Sequence, residues 1–510
     1  MLTGSRRQFL RAAALSSVAF PLGCAGPRRT TPPNPGSSRS LPIPALAPSA
    51  VDSDGVRRFR LRAAPGTTEM LSGIATPTWG YNGSILGPTL RATNGETVAV
   101  TFDNALPAAT SVHWHGMHLP ARSDGGPHQM VDPGAQWSPQ WTLRQPAATL
   151  WYHPHPHGQT EKQIYRGLSG MFIIDDPHPT GGLPQTYGLD DVPLIIQDRR
   201  FTAQGGLDES DPTDVGLLGD TIITNGIAGA FLSVSTEKLR LRILNGSGGR
   251  LYNLGMSDNR VVTMIATDGG FLPEPVAVRR IRLSPGERAE IVVDLEPGES
   301  VDLVAFPFED AAGLAMKEAA RCGVNDRLSI LELRTAATLQ LSPVLPGALP
   351  TMPGPNTAAV RIRRSFAMKW FMINGNRMDM SRIDFTAQTD DTEIWTVHNV
   401  DNWPHNFHVH DTQFRILDID GSPPAAVLAG PKDTVYLAPG QQVRLALRFT
   451  DYADPTFPYM YHCHLAMHED RGMMGQFLVL AAGQQPVATQ IDTTMASDMD
   501  MGGGHGHDNR

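Results

Sequence analysis

The stretch His462-Cys463-His464-Leu465-Ala466-Met467-His468, running on to Met473, constrains this chain more than any other. On a β-strand alternate side chains face opposite ways, so His462 and His464 point to one side and Cys463 to the other. One short strand can therefore serve two metal centres. Thiolate, imidazole and a weak thioether together suit a copper electron-transfer centre, with Cys463, His468 and Met473 supplying a soft set that awaits a second histidine from elsewhere. A strand carrying a buried free cysteine and ordinary histidines is the plain alternative for any one of these residues.

Three further clusters argue against that alternative: His113-Trp114-His115-Gly116, then His153-Pro154-His155 with His157 two residues on, then His405-Asn406-Phe407-His408-Val409-His410. Histidine pairs at i,i+2 recur in every cluster, and on strands that spacing converges both rings on one face. Two clusters lie near the start and two near the end of the chain. The first and last domains are therefore expected to meet and share a metal cluster.

Turn-forming residues are abundant, with Gly 50 and Pro 42, as all-β domains require. Short apolar or alternating runs bounded by Gly, Pro and Asp occur throughout, among them 97–102, 111–115, 170–175, 192–198, 239–245, 261–266, 290–294, 393–399, 407–410, 434–437, 442–449 and 476–480. They predict three consecutive β-sandwich domains at 51–180, 181–340 and 341–485, with short helices only near 163–168 and 311–320. The middle domain carries none of the clustered histidines, so its expected work is structural. With 42 Lys plus Arg against 51 Asp plus Glu, the net charge of -9 disfavours nucleic acid as a partner and tolerates cationic ligands. The three cysteines, Cys24, Cys322 and Cys463, are too far apart to suggest a disulfide framework, which leaves Cys322 as a buried free thiol.

Residues 1–26 read as a leader. Ser5-Arg6-Arg7-Gln8-Phe9-Leu10 followed by the apolar run from Ala12 to Leu22 resembles a twin-arginine signal, which implies export to the bacterial periplasm or cell surface. That run is too short for a stable spanning helix, so no transmembrane segment is expected. Leu22-Gly23-Cys24 resembles the end of a lipoprotein signal and makes Cys24 a candidate lipid anchor, although Pro21 stands where such signals prefer an aliphatic residue. Residues 27–50, rich in Pro, Ser and Thr, read as a tether. Residues 486–510 read as a tail whose Met495, Met499, Met501, His505 and His507 can offer thioether and imidazole groups to copper.

The four histidine segments resemble the copper-binding motifs of the multicopper oxidases, the laccase family, over roughly residues 55–485. The resemblance implies three cupredoxin-like Greek-key β-sandwiches and four copper ions. The type 1 ion would be held by His405, Cys463 and His468 with Met473 as a weak axial group, and the type 2 ion by His113 and His408. One type 3 ion would be held by His115, His153 and His464, the other by His155, His410 and His462. The implied reaction couples one-electron oxidation of a donor at Cys463 to four-electron reduction of O2 to water, the electron passing through Cys463 to its two neighbours. Asp124 and Glu469 match acids that assist oxygen reduction in bacterial members, and Asp401 matches an acid that orients a ligand ring or receives the substrate proton.

Within the family the chain looks most similar to the periplasmic copper-efflux oxidases and related bacterial laccases. Those oxidases carry a methionine-rich insertion over the type 1 copper, whereas residues 343–380 here hold only Met352, Met368, Met372, Met378 and Met380. Small phenolic or aromatic reductants are therefore expected as donors beside Cu(I), for which Met378, Met380, Met467 and Met474 form a candidate docking set. A monomer is expected. The alternatives are a dedicated cuprous oxidase for copper tolerance, a copper nitrite reductase, which usually has two domains and lacks the histidine cluster, and a non-catalytic envelope protein of the same fold.

Overall fold

Along Thr97–Asn104 the side chains alternate inward and outward, with Val98, Val100 and Phe102 buried, the pattern of a strand with one face on a core. Asp191–Arg199 is instead buried at every position, the pattern of a strand paired on both edges and covered on both faces. Strands of these two kinds build nearly the whole molecule. The computed structural model describes residues 39–210 and 212–487. The leader, Cys24 and the copper-binding tail proposed from Met495 to His507 lie outside them.

Six sheets form three cupredoxin-like domains, two sheets to each. In the first, a sheet ordered Leu90–Thr93, Gly170–Asp175, Ala148–His153, His113–His115 faces one built on Val56–Thr68 and Thr97–Asn104. The second packs a sheet centred on Lys238–Asn245 and Arg288–Asp294 against one centred on Leu328–Gln340 and Ser300–Ala305. In the third, Val360–Lys369, Thr392–Asn399, Gln442–Arg448 and Arg415–Ile419 form one sheet with Met372–Ile373 at its edge. The other runs Phe385–Gln388, Met474–Leu480, Tyr459–His462, His405–Val409, Thr434–Leu437. Short helices occupy Thr160–Tyr165 and Met316–Arg321, close to the expected places, and a further one at Ala466–Asp470, not expected from the sequence, carries His468 and Glu469.

Part of the stretch read as a tether is built into the fold. Arg39–Ser40 adds a parallel strand beside Ala230–Phe231, and Leu41 enters the core of the second domain. The third domain's core, around Trp395, Phe407 and Phe477, continues into residues of the second, including Val215, Leu251, Leu314 and the buried free thiol of Cys322. Cys463 and Met473 sit within this shared core. Among the described residues no helix is long and apolar enough to cross a membrane.

Candidate copper centres

Register brings the histidines together. His153 pairs directly with His113, and Trp151 with His115, on adjacent antiparallel strands, while His408 pairs with His462. Directly opposed side chains share a face with Cβ atoms about 4.5–5.5 Å apart. Two i,i+2 pairs on neighbouring strands thus aim their rings at one point, and the first and third domains each supply such a set. The chain can approach His113 closely because Gly125 has φ +79° and lies against the Val112 carbonyl, where a Cβ would be 1.7 Å from the oxygen.

The strand holding the fourth cluster ends earlier than expected, at His462. Cys463 and His464 follow it, fixed by other bonds: the Cys463 amide donates to the Met473 carbonyl at 3.0 Å, and the His464 amide to Asn406 Oδ1 at 2.5 Å. The two-sided arrangement survives. His462 and His464 turn to the histidine cluster with ring centroids 5.5 Å apart, while Cys463 Sγ lies 3.7 Å from both His405 Nδ1 and His468 Nδ1.

That thiolate site is a compact triangle, with the two Nδ1 atoms 3.1 Å apart. The far side of His468 is fixed by donation from Nε2 to the Asp214 carbonyl at 2.7 Å. His405 Nε2 lies 3.5 Å from Asp401 Oδ2. Met473 is fully buried, and its amide donates to the His468 carbonyl at 2.9 Å. Burial pushes the Cys463 thiol up to about 12, so the thiolate needs a cation beside it.

In the histidine cluster each anchored ring leaves one nitrogen for the interior. His113 Nδ1 donates to the Asp124 carbonyl, His408 Nδ1 to the Asp433 carbonyl, His153 Nδ1 to the Pro154 carbonyl and His462 Nδ1 to the Cys463 carbonyl, at 2.9 to 3.0 Å. His410 Nδ1 donates to Asp124 Oδ2 at 2.7 Å. His115 is reversed: Nε2 donates to Asp433 Oδ1 at 3.0 Å, which turns Nδ1 inward. The inward nitrogens crowd together, with His462 Nε2 at 3.2 Å from Nε2 of both His155 and His410, and His153 Nε2 at 3.4 Å from His115 Nδ1 and His464 Nε2. His113 Nε2 and His408 Nε2 are buried without a protein partner. Burial, then the neighbouring rings, holds His153, His155, His408 and His462 far below the usual histidine range. Neutral imidazoles with converging lone pairs repel unless cations sit between them, and imidazole with thiolate is a donor set suited to copper. The residues present therefore fit the metal.

The three acids differ. Glu469 is fully buried, 3.2 Å from His155 Nδ1 and 3.3 Å from His462 Nδ1, and accepts from Thr160 Oγ1 at 2.7 Å. Burial, then neighbouring Asp470, pushes its carboxyl well above the usual range. Asp124 is equally enclosed, but His410 and His113 outweigh burial and hold it low. Burial would raise Asp401, but His405 and then the amides of Trp370 and Asn402, from which it accepts, outweigh burial and bring it down to about 2.

Several functional neighbours escaped the sequence reading. Asp433 carries His115 and is itself gripped at both carboxylate oxygens by fully buried Arg288, at 2.8 and 2.6 Å. Gly286 has φ +86° and lies where a Cβ would come within 3.1 Å of His464. Asn406 ties the two centres together, receiving the His464 amide while donating to the Pro285 carbonyl at 2.8 Å. Arg288, Gly286 and Asp214 all come from the middle domain, which thus does more than support. The Pro-Gly-Glu-Arg sequence at 285–288 offered a turn signal and nothing that pointed to a distant histidine. His157 stays outside the cluster. Trp151 packs against the rings, stacking on His153 at 4.1 Å, whereas Trp114 turns away into the first domain's core beside Trp141 and Phe172.

A buried cluster of clustered imidazoles joined through one cysteine to a thiolate centre, within three cupredoxin-like domains, defines a copper-dependent, O2-reducing oxidoreductase. Multicopper oxidase family profiles match residues 62–179 and 350–483. The chain is 37% identical over 443 residues to multicopper oxidase mco of Staphylococcus haemolyticus, covering 86% of this chain and 92% of that protein. It is 36% identical to cell division protein FtsP of Salmonella typhimurium, over 93% of this chain and 98% of that one. Among solved structures it resembles a laccase from Pediococcus acidilactici, with TM-score 0.78, 34% identity and coverage of 88% and 94%. A laccase-like CueO from Ochrobactrum sp., described as active on lignin model compounds and lignosulfonate, matches with TM-score 0.76, 35% identity and coverage of 86% and 100%. The chain belongs to the multicopper oxidase family.

Proposed function

We propose that this protein is a laccase-like oxidase that takes electrons singly from phenolic donors, with Cu(I) as a second donor. In this reading His405, Cys463, His468 and Met473 hold the type 1 copper, His113 and His408 the type 2, and His115, His153, His464 with His155, His410, His462 the type 3 pair, four ions in all. When bound, copper accepts electrons one by one and delivers four to O2, yielding two waters. The observation that carries the reading is the single covalent link from Cys463 to both His462 and His464, which joins the donor-side triangle to the interior of the cluster.

The chain's own groups perform the rest. The protein fixes ligand geometry through backbone carbonyls that receive the outer nitrogens of His113, His153, His408, His462 and His468 and through the carboxylates of Asp433 and Asp124 that receive those of His115 and His410. Glu469 holds a proton between His155 and His462 and supplies it to the oxygen site. Asp124 remains ionised and orients His410, while Asp401 sets the edge of His405. Of the methionines named for Cu(I) docking, Met467 and Met474 are buried, and only Met378 and Met380 are partly exposed, which favours phenols.

The kinship to FtsP supports a second reading, a non-catalytic envelope role. Copper loading decides between them. We further place the protein outside the cytoplasmic membrane by the twin-arginine route, with Cys24 as a lipid anchor and domain limits near residues 180 and 340. Oxygen uptake by the copper-loaded full chain, with a methoxyphenol and with Cu(I), tests the function. Uptake that vanishes in Cys463→Ser is expected; absence of any Cys463-dependent uptake would overturn it.

A further inference from the structure

The hairpin at the edge of the third domain pairs Met368 with Ile373 and Lys369 with Met372, leaving Trp370-Phe371 as a two-residue turn. Both turn residues have positive φ, 49° and 60°. Such a type I′ turn suits Asn and Gly, and bulky aromatic residues adopt it only under strain. Core packing does not account for Trp370, which is 63% exposed. The turn nevertheless touches both histidines of the thiolate centre. The Trp370 amide donates to Asp401 Oδ2 at 2.8 Å, the oxygen lying 3.5 Å from His405 Nε2, and Phe371 stands edge-on to His468 at 5.2 Å. Because His405 and His468 are each only 1% exposed, a donor must rest on whatever covers them.

The covering surface is cationic. Lys369 Nζ lies 5.0 Å from the Trp370 ring centroid, and the Arg471 guanidinium 5.2 Å from that of Phe371. Arg377 packs beside Gly472, next to Arg471. These three are exposed, and among the described residues none has a carboxylate within ion-pair distance, although the Arg471 charge reaches buried Glu161. The nearby acids are already engaged: Asp401 faces inward onto two amides, and Asp214 pairs with Arg321, which lies over Trp403. On a chain of net charge -9, unpaired cations around an exposed indole form a site of complementary charge for an anion with an aromatic face.

We propose that the Trp370-Phe371 turn is the donor-docking site and that it selects phenols bearing a carboxylate or sulfonate over neutral phenols and Cu(I). The inference rests on the laccase-like reading above. Each docked phenol stacks on Trp370, its anionic group against Lys369, Arg377 and Arg471. It loses one electron toward the cysteine centre and its hydroxyl proton to solvent; four electrons and four protons match the reduction of one O2 to two waters.

The test compares kcat/KM of the copper-loaded protein for 2,6-dimethoxyphenol and its 4-carboxylate, by oxygen uptake, in the parent, in Trp370→Asn and in the double variant Lys369→Glu/Arg471→Glu. Asn keeps the turn geometry, so an unchanged or raised Tm excludes a folding defect. We expect the carboxylate-to-neutral ratio to fall at least tenfold in the double variant, through KM, and the parent's preference to shrink with added salt. For Trp370→Asn we expect KM for both phenols to rise at unaltered visible absorption. Equal ratios in parent and double variant, or an unaffected KM in Trp370→Asn, would overturn the docking site while leaving the oxidase reading intact. No uptake with either phenol in the parent would instead strike the oxidase reading.

Discussion

The two metal centres are built on different principles. The three residues of the thiolate triangle, His405, Cys463 and His468, belong to the third domain and are buried in it, with Met473 in the same core. The histidine cluster is divided between the first and third domains and gripped by the second through Arg288 and Asp433. A centre made within one domain can form once that domain folds. A centre made between domains exists only when they dock, so its integrity depends on the buried charges at the junction.

The sharpest break in this comparison is Cys463→Ser. It should abolish the intense visible absorption of the copper-loaded protein and reduce donor-driven oxygen uptake to background, with the histidine cluster still able to take up metal, checked by metal analysis. Arg288→Ala should do the reverse. Removing one partner of a buried pair leaves Asp433 uncompensated and costs about 3–5 kcal/mol; the visible absorption should persist while cluster copper and O2 reduction are lost, and Arg288→Lys should restore part of both. Next in size, Glu469→Gln should retain every copper yet slow O2 reduction about 10²-fold or more, the scale of a lost proton donor, visible in kcat with donor KM little changed.

The smallest expected effect concerns docking alone. His118 of the first domain lies between Asp411 and Asp451 of the third, 2.8 and 2.5 Å away. Burial opposes its charge, but the two carboxylates outweigh it and raise the imidazole to about 10 from 6.5. A group raised on folding stabilises most fully below its unfolded value, and this contribution fades as pH climbs through the folded one. The Tm difference between the parent and His118→Gln should therefore be largest below about pH 6.5 and shrink as pH rises through about 10. A difference that grows with alkalinity would refute a charged His118 at this interface.

Much of this arrangement is legible in the residues. Alternation and turn residues mark most strands to within one or two positions, as at 97–102 within Thr97–Asn104 and 434–437 at Thr434–Leu437. The i,i+2 histidines announce convergence because strand periodicity is local. Arg288, Asp433, Asn406 and Asp214 gave no comparable signal: each is an ordinary polar residue until another part of the chain places a ring nitrogen or an amide beside it. The early end of the last histidine strand was equally hidden, since the Asn406 side chain replaces a ladder bond that local pattern would assign to His464.

By itself, then, the sequence determined the three-sandwich architecture and the gathering of i,i+2 histidines on either side of Cys463, properties carried by periodicity and turn residues within short windows, while the sharing of those residues among copper ions came from the family resemblance. Only the tertiary structure decided which nitrogen of each histidine faces inward, that burial raises Glu469 while the imidazoles beside Asp124 lower it, and that an aromatic turn with positive φ at both residues lies against Asp401 and His468. Those depend on burial, on charges brought from other domains and on carbonyl positions, none of which is encoded within reach of the residue it governs.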